Sequence, residues 1–202
     1  MQNVRWILPA GAALILASLI ATAACQQSQP AAAAPPAAAQ PEYIPTATIK
    51  DLMQSVVDPS ADVVWLAVTT VESKKGTVDT APKTDEEWAK VRKSAIALTE
   101  AANLLIVPGR HVAKAGEKSE TPGVELEPSE MEALIVKDIP AFHKRAKALH
   151  DAGVAAIEAV DAKDAQKVFE VGEKIERACE GCHSQYWYPN EKIPPFPGST
   201  SQ

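Results

Sequence analysis

The sequence predicts an all-α fold, an antiparallel up-down bundle of four helices. Three observations carry that expectation. Four segments place apolar side chains at steps of three and four, the spacing of one buried stripe on a helix. No stretch alternates apolar and polar residues long enough to suggest a strand. Proline and glycine punctuate the chain between the segments, at Pro108-Gly109 and around Pro128.

The first segment spans about Thr46 to Val71. It carries Ile49, Leu52, Met53, Val56 and Val57, then Val63, Val64, Leu66 and Ala67. Between them stand Asp58, a good cap, and Pro59, which suits a first helical position. A kink or break is expected there. The second segment opens at Thr84 with Glu86 and Glu87 in its first turn, where the helix dipole favours acids. Its stripe is Trp88, Val91, Ala95, Leu98, Ala102 and Leu105, and it stops at Pro108-Gly109.

A loop rich in glycine, proline and charge follows, Pro108 to Pro128. The third helix is expected to start near Ser129 as cap and to kink at Pro140. Its later half puts Phe142, Ala146, Leu149, Gly153, Ala156 and Val160 on one face. The fourth spans about Asp161 to Tyr186, with Ala165, Val168, Phe169, Gly172, Ile175, Ala178, Cys179 and Cys182 in one stripe. Helices of these lengths would be about 30–45 Å long.

The fourth stripe runs into Cys179-Glu180-Gly181-Cys182-His183. C-x-x-C-H is the pattern of covalent c-type haem attachment. Thiols three residues apart share a helix face and reach both vinyl groups of one porphyrin. The next residue, His183, is placed to ligate the iron. Two other readings compete. A redox C-x-x-C usually sits in an α/β pattern, which the chain lacks. Structural zinc takes four ligands, and no second C-x-x-C is present.

The third cysteine agrees with export. Residues 1–24 hold one charge, Arg5, an apolar run from Ile7 to Ile20, and small residues after it, as a secretory signal peptide does. Thr22-Ala23-Ala24-Cys25 resembles a bacterial lipobox, with Thr22 where that pattern prefers Leu. Cys25 would then be lipidated; cleavage by ordinary signal peptidase is the alternative. Residues 25–45 read as the anchor site and an extended Ala/Pro-rich linker. The globular domain is 46–188, a normal size for one domain, and 189–202 form a Pro-rich tail. The chain of 202 residues carries a net charge of -6, which argues against a nucleic-acid partner.

From Cys179 to Tyr186, C-x-x-C-H-x-x-Tyr at the end of the last helix resembles the class II c-type cytochromes, the cytochrome c′ group. The resemblance covers about residues 46–188. It departs at Trp187, where cytochromes c′ carry a basic residue. It implies one haem c on the last helix and a first helix facing the sixth position of the iron. Low-spin relatives place Met there, which points to Met53; true cytochromes c′ leave the position open. His111, His143 and His150 are rival ligands, and Met131 is expected at the surface. Lys50, Arg92, Arg110 and Arg145 are candidate propionate partners. Tyr186, Trp187 and Tyr188 either cover the haem edge or dock the tail.

The expected function is one-electron transfer by a periplasmic, membrane-tethered lipoprotein with a redox partner protein, and no enzymatic conversion. The alternative is a five-coordinate protein that binds small gases. The resemblance also implies a homodimer through the first helices.

Overall fold

Each helical rod begins where a side chain can satisfy its free N–H groups. The structure, a computed structural model, describes residues 43–191. The expected signal peptide, Cys25, the linker up to residue 42 and the tail from residue 192 lie outside the described residues. The first rod is α1 (Ile49–Leu52), a π-helical turn (Met53–Val57) and α2 (Asp58–Trp65). Thr48 caps it, accepting from the Asp51 N–H at 3.0 Å while Asp51 accepts from the Thr48 N–H at 3.0 Å. Helix α3 (Asp85–Leu105) opens on the same reciprocal pair, Thr84 with Glu87.

Helix α4 (Pro128–Lys137) is short, and α5 (Ile139–Asp161) follows at once. Between them Asp138 leaves helical geometry and caps α5, accepting from the Ala141 N–H at 3.0 Å. Helix α6 (Ala165–Tyr186) is capped by Asp164. Lys163, at a φ of 50°, makes the tight reversal before it.

The rods close a ring: α2 packs on α3, α3 on α5, α5 on α6 and α6 on α2. Directions follow from paired residues. Arg92 meets Asp161, and Thr99 lies under Gly153, so α3 and α5 are antiparallel. Phe142 meets Tyr186 while Arg145 lies against Gly181, so α5 and α6 are antiparallel. The result is an up-down four-helix bundle. Its core includes Leu98, Ile175, Val64 and Val168, each at most 1% exposed.

The structure corrects several expectations. The first helix ends at Trp65, and a β-hairpin follows: β1 (Thr69–Ser73) pairs antiparallel with β2 (Gly76–Thr80), Val71 opposite Val78. Its β-branched residues favour a strand, but both valines face outward and leave no alternating signal; Val71 is 56% and Val78 61% exposed. At Asp58-Pro59 the rod changes helix type rather than parting: the π turn ends at Val57 and α2 starts at Asp58 with Pro59 in its first turn, though Asp58 does not cap it. Pro140 does not kink a continuous helix: the chain breaks at Asp138, and the proline sits in the first turn of α5, where its missing N–H is harmless. Glu127, not Ser129, is the cap of α4. Phe169 is 48% exposed, and Val171 takes the core position instead, at 4%.

Candidate functional site

The C-terminal half of α6 forms one wall of a cleft of about 500 Å³, within the size range of small-molecule and cofactor sites. Cys179, Cys182, His183 and Tyr186 line it from α6. Ile49, Met53, Val57 and Ala61 line it from the first rod, and Phe142, Arg145, Ala146 and Leu149 from α5. The loop before α4 and α4 itself roof it with Val112, Glu120, Glu125, Met131 and Ile135.

That roof is fastened at both ends by backbone groups a helix leaves free. The first N–H groups of α1, at Ile49 and Lys50, donate to the carbonyls of His111 and Val112 at 2.9 and 3.0 Å. Leu126 N–H donates to the carbonyl of Trp187, just past α6, at 2.8 Å. Ion pairs reinforce the first fastening: Lys50 with Glu120 at 2.7 Å and Lys114 with Asp51 at 3.0 Å.

The two thiols are unbridged and half-buried. Burial, then the carboxylates of Glu176, Asp58 and Glu180, push Cys179 up to about 12; burial pushes Cys182 up to about 11, against the pull of Arg145. Redox-active C-x-x-C thiols are tuned the other way, toward the thiolate. Burial also lowers the pKa of His183, which favours the neutral imidazole, the form that binds metals. Among the described residues, no three His, Cys, Asp or Glu side chains cluster as a metal shell, so the four-ligand set of structural zinc is not assembled there. Two neutral thiols and one imidazole on a largely apolar cleft are a donor set that fits a covalently held haem.

Beside His183 stands an aromatic pair, of which Trp187 also lines the cleft. Trp187 meets the imidazole edge-on with centroids 5.0 Å apart, Tyr188 lies 5.9 Å from it, and the two rings lie 5.2 Å apart. The Tyr188 hydroxyl donates to Glu180 Oε1 at 2.8 Å, while Glu180 Oε2 is buried with no hydrogen-bond partner. Tyr186 turns inward, edge-on to Phe142 at 5.5 Å.

The other candidates separate cleanly. Lys50 and Arg145 line the cleft. Arg145 Nε donates to Gln185 at 2.9 Å, and its guanidinium lies where a side chain on Gly181 would stand, 2.9 Å from an ideal Cβ. Arg92 is engaged with Asp161 at the opposite end of the bundle, at 2.6 Å. Arg110 holds the carbonyls of Leu104 and Ala47. Neither Arg92 nor Arg110, both expected beside the propionates, lines the cleft. His111 pairs with Glu132 at 2.7 Å and His150 with Asp151 at 3.4 Å; with His143, they stand outside the cleft lining. Met131, expected at the surface, is a lining residue because the break at Asp138 lays α4 over the cleft. Its place in the first turn after Pro128 gave no such signal.

No protein-family model matches the chain, and no curated protein matches it. Among solved structures, two forms of cytochrome c prime from Alcaligenes xylosoxidans are similar to it. One is a ferrous arginine-to-phenylalanine variant with bound NO, at 20% identity and a TM-score of 0.43 over 70% of this chain and 98% of that one. The other is the nitric oxide complex of a leucine-to-valine mutant, at 21% identity and a TM-score of 0.44 over 73% and 99%.

Proposed function

We propose that this chain is an exported c-type cytochrome that carries one covalent haem and transfers single electrons, without converting a substrate. The observation that carries the reading is the opening of Cys179, Cys182 and His183 onto one cleft whose facing wall presents Met53. Cys179 and Cys182 would hold the haem as thioethers and His183 would ligate its iron. Met53 would take the sixth position, a thioether ligand that raises the reduction potential. Bound there, the haem supplies a one-electron couple. The protein sets its potential through axial ligands, burial and nearby charge.

Lys50 and Arg145 are the cations that line the cleft beside Lys118, and they are the proposed partners of the propionates. Apolar side chains from the first rod and α5 keep water from the ring. Trp187, itself a lining residue of the cleft, and Tyr188 pack edge-on against His183 and would restrict the orientation of its imidazole. The lipidated Cys25 would tether the domain to a membrane in the bacterial periplasm, where a redox partner protein docks.

Absorption spectra of the oxidised and reduced protein test the reading. Methionine ligation gives a low-spin spectrum with a weak far-red ferric band, and M53A abolishes that band. A high-spin wild-type spectrum with rapid carbon monoxide uptake would instead establish the open, gas-binding alternative. A denaturing gel without haem stain would sink both. Release of C25A from membranes tests the anchor.

A further inference from the structure

The first rod lines the cleft with Ile49, Met53, Val57, Ala61 and Trp65, a row at constant four-residue spacing, and along one edge of that row with Lys50, Gln54 and Asp58. A plain α-helix does not keep such a row on one side. At 3.6 residues per turn each four-residue step overshoots the turn by roughly 40°, so five members would wind roughly 160° around the rod. The rod does not run as a plain α-helix. Between Met53 and Val57 it is π-helical, closed by the Asp58 N–H on the carbonyl of Met53, five residues back. A π turn holds more residues than an α turn, so a four-residue step there falls short instead of overshooting and cancels part of the drift.

Pro59 explains why the turn widens at this place. It lies inside the rod, in the first turn of α2, has no N–H to donate, and in an uninterrupted α-helix its ring would press on the carbonyl four residues back, at Ser55. Widening the preceding turn relieves that contact. Both ends of the rod are independently held. The loop carbonyls of His111 and Val112 fix its start, and the Trp65 indole is bonded to the carbonyl of Gly172 at 3.0 Å. The extra residue of the turn is therefore stored between two anchors.

We propose that this π turn, locked by Pro59, is the device that keeps Met53 on the cleft wall, and that Pro59 is a positioning residue for it. The inference deepens the proposed role of Met53, but its test does not depend on a sulfur–iron bond.

The experiment follows the Met53 methyl group by NMR in the haem-loaded protein, beside the absorption spectrum. A methyl in the cleft is displaced from its ordinary shift by the porphyrin, bound to iron or not. The wild type should show that displacement. In P59A the turn reverts to α-helix, Met53 rotates out of the row, and the displacement is lost while circular dichroism keeps its helical signal. Deleting Ser55 from the P59A chain removes the extra residue and should restore it. If P59A does not hold haem, the doubly altered chain decides alone: a displaced methyl upholds the proposal and an ordinary one overturns it. An ordinary methyl in the wild type, or an unchanged one in P59A, also overturns it. A displaced wild-type methyl in a protein without a methionine–iron band ends the ligand reading and leaves the positioning one standing.

Discussion

Trp65 on α2 and Gly172 on α6 are joined by a hydrogen bond between neighbouring helices: the indole N–H donates to the Gly172 carbonyl at 3.0 Å. The glycine makes the approach possible, since a Cβ there would stand 3.1 Å from the indole Cδ1. The indole cannot retreat without losing its bond. G172A should therefore destabilise the protein, although alanine is the better helix former by about 1 kcal/mol. W65F, which drops the donor together with part of the ring, should cost at least about 1 kcal/mol. Denaturant unfolding measures both; a stabilised G172A would show that the indole is free to move.

A tighter contact joins α3 and α5. An ideal Cβ on Gly153 would lie 2.3 Å from Thr99 Oγ1 and 3.0 Å from Thr99 Cα. The hydroxyl is itself held, donating to the Ala95 carbonyl at 2.7 Å. Backbone forms part of the obstacle, so rotating a side chain does not clear it. G153A should lose about 1–3 kcal/mol by overpacking, more than G172A, in the same unfolding assay.

These glycines show what the sequence made legible. Gly153 and Gly172 both fell in apolar stripes read from three- and four-residue steps, and the stripes of α3 and α5 are the buried faces found. The C-x-x-C-H motif placed the cleft wall on α6 from chemistry alone. What could not be read depends on neighbours distant in sequence. The hairpin at Thr69–Thr80 exposes its valines, so burial left no period to detect. The π turn lies between two tertiary anchors, the loop carbonyls that bond the start of the rod and the Trp65–Gly172 bond at its end, which a local pattern does not contain. Arg92 and Arg110 looked like any other cation, and only the fold shows that Asp161 and the end of α3 occupy them.

The two classes of arginine give a prediction about potential. Arg145 lines the cleft beside Cys182, whereas Arg92 is at the far end of the bundle. A positive charge near the iron disfavours the oxidised state, so its removal lowers the reduction potential. R145Q should shift the potential downward and R92Q should leave it where it is. Redox titration of the two variants decides; equal shifts would show that Arg145 exerts no local field on the haem.

Acid should loosen the roof at its first fastening. The Thr48 N–H, then Lys114 and the Thr48 hydroxyl, hold the Asp51 carboxyl down at about 2, from an ordinary 3.8. A carboxyl whose folded pKa lies below its unfolded one stabilises the fold above the unfolded value, and that contribution fades as pH falls through the folded one. The wild type should therefore lose stability between about pH 4 and pH 2 more steeply than D51N. Unfolding curves across that window check the sign: a D51N slope as steep as the wild type would place the loss at other carboxylates.

The aromatic pair beside His183 allows a test free of haem spectroscopy. Tyr188 is the donor to Glu180 Oε1, and Oε2 has no hydrogen-bond partner. Burial, with the bond to Glu180, raises the pKa of the phenol, so it remains a neutral donor throughout the ordinary pH range. Removing the hydroxyl leaves the half-buried carboxylate with neither oxygen bonded, and Y188F should cost about 1–2 kcal/mol. E180Q keeps an oxygen that accepts the same bond and should cost less. Because the two residues act through one bond, Y188F and E180A together should cost less than the sum of the single changes. Strict additivity in denaturant unfolding would mean that the bond contributes nothing to holding Tyr188 and Trp187 against His183.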